Sequence, residues 1–103
     1  MPITNQIARA HAFRKMHESP PALLLPNAWD AVSARLFEES GFRAVATTSG
    51  GLAWSLGYAD GEGAPWAAVL AATRRIVRVV NVPVSADIES GFGATASDVF
   101  SNV

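Results

Sequence analysis

Short apolar runs alternate with helical patterns along this 103-residue chain, and this alternation restricts its fold more than any other feature. Strands are predicted over 22–26, 43–48 and 82–88, where apolar residues follow one another without a helical period. Helical spacing is found between these runs and before the first of them. Because strands that alternate with helices are joined by right-handed crossovers, the sequence predicts an α/β fold with a parallel sheet.

Residues that favour helix ends mark the first two helices. A helix is predicted over 4–18, and the proline pair at 20–21 ends it because a proline ring blocks continuation. Asn27 occupies the position expected for the N-cap of a second helix, which extends to Ser40. The apolar side chains that share one face of this second helix are Trp29, Val32 and Leu36.

A long loop and a third helix are predicted in the middle of the chain. Residues 49–64 contain five of the eight glycines and show no sustained pattern, which is typical of a loop. Pro65 opens the helix that follows. Its predicted buried stripe consists of Trp66, Val69, Thr73, Ile76 or Val77, and Val80. Its predicted solvent side consists of Arg74, Arg75 and Arg78.

The composition excludes several classes of protein. Eight basic and nine acidic residues give a net charge of -1, so no basic face for nucleic acid is expected. The absence of cysteine excludes a disulfide framework and a thiolate zinc site. No apolar run approaches the roughly 20 residues of a membrane span, and residues 1–5 lack the regions of a signal peptide. We therefore expect a cytoplasmic protein with neither nucleic acid nor membrane as a partner.

Polar and glycine residues concentrate where the predicted strands end. In parallel α/β folds, ligands meet the loops that leave the carboxyl ends of the strands. One such loop begins with Thr47-Thr48-Ser49-Gly50-Gly51, whose hydroxyls and accessible N–H groups suit a carboxylate or phosphoryl oxygen. The alternative interpretation of this segment is a mobile turn without a ligand.

Three acidic residues indicate a metal site near the same loops. Asp87 ends the third predicted strand among apolar neighbours, and Glu89 follows on the same side because side chains alternate along a strand. Two carboxylates this close repel one another unless a cation compensates, and hard oxygen ligands suit Mg²⁺. Asp60 could supply a third carboxylate. For Asp60 and Glu62, however, ordinary turn chemistry is an equally simple interpretation.

A glycine pattern near the end of the chain allows a different interpretation. Gly91-x-Gly93-x-x-Ala96 follows a predicted strand and precedes a helix, as a dinucleotide-binding fingerprint does. The acids before it would place negative charge beside a pyrophosphate, so this site is the less favoured alternative. Thr95 and Asp98 frame a capping arrangement for the last predicted helix, which has barely begun when the chain ends at Val103.

Three segments together resemble the phosphoenolpyruvate mutase/isocitrate lyase superfamily. They occur in the order and at spacings compatible with that family, and they span nearly the whole chain after residue 20. The segments are Leu25-Pro26-Asn27-Ala28-Trp29-Asp30, then Thr48-Ser49-Gly50-Gly51 with Ser55-Leu56-Gly57-Tyr58-Ala59-Asp60, and finally Ser85-Ala86-Asp87-Ile88-Glu89-Ser90-Gly91-Phe92-Gly93.

The resemblance implies a (β/α)₈ barrel enzyme that acts with Mg²⁺, or with Mn²⁺, on substrates derived from 2-oxo or 2-hydroxy acids. By this analogy Asp87 binds the metal ion directly, while Glu89 and Asp60 hold its water ligands. Ser49, Gly50 and Gly51 would bind the carboxylate or pyruvyl oxygens of a small substrate. Better-known members have Asp in place of Glu89 and often Tyr in place of Phe92, which leaves the reaction itself less defined.

The chain is short for a complete barrel. The resemblance implies that residues 1–103 form a single incomplete domain, consisting of an N-terminal helix and about the first three β/α units. The implied activity is a C–C lyase or phosphonomutase reaction through a pyruvate enolate, and we expect the isolated chain to be inactive. Three parallel strands leave both sheet edges open, so a non-catalytic assembly module and a homo-oligomer are further expectations.

Overall fold

Three short parallel strands and five helices make up the described part of the chain, residues 3–103 of a computed structural model. Met1 and Pro2, which belong to the segment for which the sequence predicts no signal peptide, lie outside the described residues. In chain order the elements are α1 (Ile3–Lys15), β1 (Asn27–Ala28), α2 (Ala31–Glu39), β2 (Val45–Thr47), α3 (Ser49–Ser55), α4 (Trp66–Val79), β3 (Val84–Ser85) and α5 (Ala96–Asn102).

The strands form one parallel sheet in the order β1-β2-β3. In the central strand β2, Ala46 lies opposite Asn27 of β1 and opposite Ser85 of β3. The predicted α/β class with parallel strands is therefore confirmed. Because each crossover returns the chain to the same end of the sheet, the carboxyl ends of all three strands lie together.

The first strand lies later in the chain than the sequence predicts. The apolar run 22–26 precedes β1 instead of forming it, and Leu24 is 72% exposed. Pairing with β2 begins only where the Ala46 N–H donates to the carbonyl of Pro26 (2.9 Å). The expectation of a strand buried on both faces over this run was therefore wrong.

Helix α2 is capped by Asp30 and not, as predicted, by Asn27. The Asp30 carboxylate accepts the Ser33 N–H (2.8 Å), and the Ser33 hydroxyl accepts the Asp30 N–H (3.2 Å), which is a reciprocal capping box. Asn27 belongs to β1. The buried residues of α2 are Ser33 and Ala34, whereas the predicted apolar face points outward, with Trp29, Val32 and Leu36 all exposed.

Part of the predicted 49–64 loop is helical. Helix α3 begins after Thr48, whose hydroxyl accepts the Gly51 N–H (3.1 Å) as an N-cap. Leu52 and Ala53 are buried, and this packing outweighs the low helix propensity of the two glycines at its start. Local composition alone therefore gave a wrong prediction for 49–55.

Helix α4 contributes more buried apolar residues to the core than any other helix or strand. Val69, Ala72 and Ile76 are buried along it, and Val80 is buried directly after it. The stripe is thus close to the predicted one, with Ala72 at its centre and Thr73 only half-buried. The predicted solvent side is confirmed, since Arg74, Arg75 and Arg78 are exposed.

The last helix forms as predicted. The Thr95 hydroxyl accepts the Asp98 N–H (3.1 Å), so these two residues make the expected cap of α5. Within residues 3–103 no helix is both long enough and apolar enough to cross a membrane.

Candidate active site

A small cleft with about 10 Å³ of free space, open to solvent, lies beyond the ends of β2 and β3. Its apolar lining comes from α3, the start of α4 and the segment between them, and it is closed on one side by Phe92. The residues that line it are Ser49, Leu52, Ala53, Glu62, Gly63, Ala64, Val69, Asp87, Glu89 and Phe92. Polar groups from separate parts of the chain therefore converge on one small space.

Asp87 lies beyond β3, on an exposed segment. β3 ends at Ser85, so the sequence interpretation of Asp87 as a carboxylate among apolar groups at a buried strand end was wrong. Its position is nevertheless fixed, because its N–H donates to the buried Thr47 hydroxyl (2.9 Å) at the end of β2. Its Oδ1 accepts the N–H of Glu89 (2.9 Å).

Glu89 reaches the same cleft through a turn and not through strand alternation. Its backbone is left-handed, with φ 55°, which reverses the chain directly after Asp87. Its Oε2 accepts the N–H of Glu62 (2.9 Å) from the segment that precedes α4. The two carboxylates expected to act together are therefore both in the cleft.

Glu62 is a central residue of this arrangement, although the sequence interpretation left it as a turn residue. Its Oε2 accepts the Ser90 N–H (2.9 Å), the Ser90 hydroxyl and the Phe92 N–H (3.3 Å). The Ser90 hydroxyl is the main cause that holds the pKa of the Glu62 carboxyl below its ordinary value. Desolvation, the next largest effect, raises this pKa, and the two N–H groups each lower it by less. Nothing in the local sequence marks this contact, because it joins residues 28 positions apart.

Asp60 lies beside the cleft and is not among its lining residues. The side chain is packed on the backbone of Gly50, where a Cβ would come within 3.2 Å of Asp60 Oδ2. Within the described range, no group of three or more acidic or histidine side chains is arranged to hold a metal ion. The structure therefore brings Asp87 and Glu89 together and leaves Asp60 apart from them.

The pair of carboxylates fits the donor set of Mg²⁺. This ion commonly takes one or two protein carboxylates and keeps several waters, so a third carboxylate is not required. Hydrogen bonds to the protein involve Oδ1 of Asp87 and Oε2 of Glu89, which leaves the second oxygen of each for a metal ion or its water.

The predicted Ser49-Gly50-Gly51 segment forms the first turn of α3. Ser49 lines the cleft, whereas Gly50 and Gly51 are not among its lining residues. Phe92 closes the other side and packs on Trp66, with ring centroids 5.2 Å apart. Apolar side chains, a hydroxyl and two acids thus line one small cleft.

The fingerprint glycines have a structural explanation in the packing of α5. A Cβ on Gly91 would lie 2.6 Å from Val99 Cγ1, and one on Gly93 would lie 2.6 Å from Asp98 Cβ. Both glycines are thus required for the close approach of α5 to the loop that precedes it. No feature of the cleft favours a dinucleotide.

Comparison with known proteins gives a consistent result. The family model described as phosphoenolpyruvate phosphomutase matches residues 13–103. The 2-methylisocitrate lyase of Bacillus subtilis is 31% identical over 90 residues, which cover 87% of this chain and 30% of that enzyme.

Two solved structures are also similar. The first is a Burkholderia cenocepacia J2315 protein that is provisionally described as a lyase/mutase, with a TM-score of 0.88 and 42% sequence identity. The match covers 95% of this chain and 35% of the Burkholderia protein. The phosphoenolpyruvate phosphomutase of Streptomyces platensis subsp. rosaceus has a TM-score of 0.78 and 28% identity over 90% of this chain and 32% of its own. The chain thus spans about a third of the length of the proteins it matches.

Proposed function

Because the chain belongs to the phosphoenolpyruvate phosphomutase family, we propose that it is the N-terminal part of a Mg²⁺-dependent lyase or phosphonomutase-type enzyme. Its relatives include lyases and mutases, which supports an enzyme of this kind. The proposed substrates are small carboxylates derived from 2-oxo or 2-hydroxy acids. The proposed reaction breaks a C–C or P–C bond and passes through the enolate of pyruvate.

The observation that carries this proposal is the convergence of Asp87, Glu89 and Ser49 on one cleft. We assign Asp87 as the direct metal ligand, because the bond from its N–H to Thr47 fixes its position at the end of the sheet. Glu89 would hold water on the metal ion, and Asp60 would do so only after its side chain moves from Gly50 towards the cleft. Mn²⁺ could replace Mg²⁺ in such an oxygen site.

When bound, the metal ion would supply the positive charge that an enolate and a carboxylate require. The residues of this chain would bind and orient the substrate around it. Ser49 would donate its hydroxyl to a substrate oxygen. The N–H group of Gly50, in the first turn of α3, would complete the proposed contact with the carboxylate. Gly51 would contribute only through the absence of a side chain, because its N–H already donates to the Thr48 hydroxyl (3.1 Å). Phe92 and Leu52 would exclude water from the opposite side of the substrate.

We propose that these elements are about the first three units of a (β/α)₈ barrel, preceded by α1. Sequential parallel strands joined by helices are the arrangement that such a barrel repeats. Since the proteins matched are about three times as long, residues that complete a barrel would be missing from this chain. We therefore expect the chain alone to have no turnover.

A metal titration tests the proposal. We expect calorimetry to show Mg²⁺ and Mn²⁺ binding to the 103-residue chain, and Asp87→Asn to weaken it by about tenfold or more because the direct ligand loses its charge. Glu18→Gln, which removes the same charge in the turn after α1, should bind as the unchanged chain does. Absence of binding, or equal affinities for all three proteins, would refute the metal site.

One observation favours assembly as an accompanying function. Val32 and Leu36 are 67% and 57% exposed and lie four residues apart on α2, so they form an apolar stripe that association would cover. A net charge of -1 creates little repulsion between copies, so a homo-oligomer is the association we propose. A chain that associates without any affinity for Mg²⁺ would favour the non-catalytic assembly module over the enzyme.

A further inference from the structure

Two loops of the cleft are joined by a reciprocal set of hydrogen bonds. From the segment before α4, Glu62 gives its N–H to the Glu89 carboxylate (2.9 Å) and receives three donors on its own Oε2. All of those donors belong to Ser90 and Phe92, in the segment after β3. Each loop is therefore held by the other directly beside the two cleft carboxylates.

Where these two loops meet, three residues have backbone conformations that surrounding contacts must stabilise. Glu62, Glu89 and Phe92 have φ values of 61°, 55° and 56°, a left-handed region that residues with side chains rarely adopt. Left-handed residues persist when surrounding contacts fix them, and they concentrate at functional sites. The hydrogen bonds of Glu62 reach both of the other left-handed residues.

We infer that Glu62 is a positioning residue, whose carboxylate holds the loop after β3 in the one conformation that directs Asp87 and Glu89 into the cleft. This inference rests on the proposed function, since it concerns the same metal site. Glu62 acts here as an acceptor of N–H and O–H groups, because its Oε2 receives the three donors of Ser90 and Phe92. Ser90, which supplies two of them, is its partner residue.

This role makes a prediction that a purely electrostatic role does not. If Glu62 acted through its negative charge on a nearby cation, Glu62→Gln and Glu62→Ala would weaken metal binding equally. If it acts as an acceptor, the amide oxygen of Gln still receives the Ser90 and Phe92 N–H groups, whereas Ala receives none. Glu62→Gln therefore distinguishes a role in positioning the loop from a role of the negative charge.

The experiment uses the 103-residue chain and two measurements. Hydrogen exchange of the Ser90 and Phe92 amides, followed by NMR without metal, reports the loop, and Mn²⁺ affinity by calorimetry reports the site. We expect Glu62→Ala to speed exchange of both amides about tenfold or more and to weaken Mn²⁺ binding by about 10- to 100-fold, the usual effect of losing an outer-shell partner. Glu62→Gln should change either quantity by less than about threefold. Ser90→Ala should give an intermediate loss, and Glu18→Gln none.

Each outcome decides between the alternatives. Unchanged exchange or unchanged Mn²⁺ affinity in Glu62→Ala overturns the positioning role, and so does an equal loss in Glu62→Gln. If Glu62→Ala does not fold, as thermal unfolding would show, the milder Ser90→Ala decides in the same way. If the unchanged chain binds no Mn²⁺, the proposed function fails together with this inference. If the unchanged chain binds and Glu62→Ala binds equally well, only the inference fails.

Discussion

Gly51 occupies a position in which a side chain has no room. A Cβ there would lie 2.7 Å from Thr48 Cγ2 and 3.2 Å from Trp29 Cβ, and Thr48 cannot move without losing its cap on α3. At Gly50 the nearest atom is Asp60 Oδ2, at 3.2 Å on the end of a mobile side chain. Two adjacent glycines of one motif are therefore under different physical constraints.

We predict opposite effects of alanine at these two glycines. Gly51→Ala should destabilise the chain by about 1–3 kcal/mol because the new methyl group overpacks the turn. Gly50→Ala should be neutral or slightly stabilising, since alanine has the higher helix propensity and the Asp60 side chain can move. Denaturant unfolding measures both, and equal losses at the two positions would contradict the packing described.

The two candidate N-caps of α2 can be separated by mutation. Asp30→Ala removes a capping box and should cost about 1 kcal/mol in unfolding free energy. Asn27→Ala removes only the bond from Asn27 Nδ2 to the Leu25 carbonyl, which is exposed, and should cost less than about 0.5 kcal/mol. Thermal or urea unfolding of the two variants provides the comparison, and a larger loss for Asn27→Ala would restore the prediction made from sequence.

At the scale of the elements, Glu38 connects α2 to the entry of β3. Its Oε2 accepts the N–H groups of Asn81 and Val82 (3.1 Å to Val82), and its Oε1 pairs with Arg35 at 3.1 Å. The neighbouring Glu39 also pairs with Arg35 at 3.1 Å, but its side chain is 58% exposed against 15% for Glu38. Of these two glutamates, only Glu38 therefore links α2 to the segment before β3.

We expect Glu38→Ala to cost about 1–3 kcal/mol, because two N–H groups at the start of β3 lose their acceptor. Glu39→Ala, which breaks an exposed ion pair with the same arginine, should change stability by less than about 0.5 kcal/mol. The comparison is made by urea unfolding under one buffer condition. Similar losses of unfolding free energy for the two variants would show that the ion pairs with Arg35 stabilise the chain, and that the hydrogen bonds of Glu38 to Asn81 and Val82 do not.

The whole molecule is slightly less compact than a typical domain of this length. Its radius of gyration is 14.0 Å, against about 13 Å expected for a compact domain of 100 residues. The sheet has three strands, of which the two outer ones contain two residues each. Within residues 3–103, β1 and β3 each pair with β2 alone, so the outer edge of each has no strand partner.

We therefore predict no turnover by the isolated chain with 2-methylisocitrate, measured by release of product over a protein-free blank. The barrel interpretation implies that groups from later strands complete the site, so metal binding without catalysis is the expected combination. Clear turnover by the 103 residues alone would show that the cleft is sufficient and that further barrel units are not needed for activity.

The sequence by itself determined the class of fold, the cap of α5 and the family, because these depend on local periodicity, on capping side chains and on motif order. It also indicated that Ser49, Asp87 and Glu89 belong to one site, since parallel strands must end at one edge of the sheet. It could not locate β1, α3 or the cap of α2, where burial and pairing with distant residues override local preference.

Only the tertiary structure decided how the acids are held. The bond from Asp87 to Thr47 and the three donors on Glu62 join residues that are neighbours in space and not in sequence. No local pattern encodes such contacts, because a hydrogen bond between two loops depends on where the helices and strands place both of them. This is why the sequence indicates only an ordinary turn residue at Glu62, whereas in the fold Glu62 lines the cleft and joins two loops.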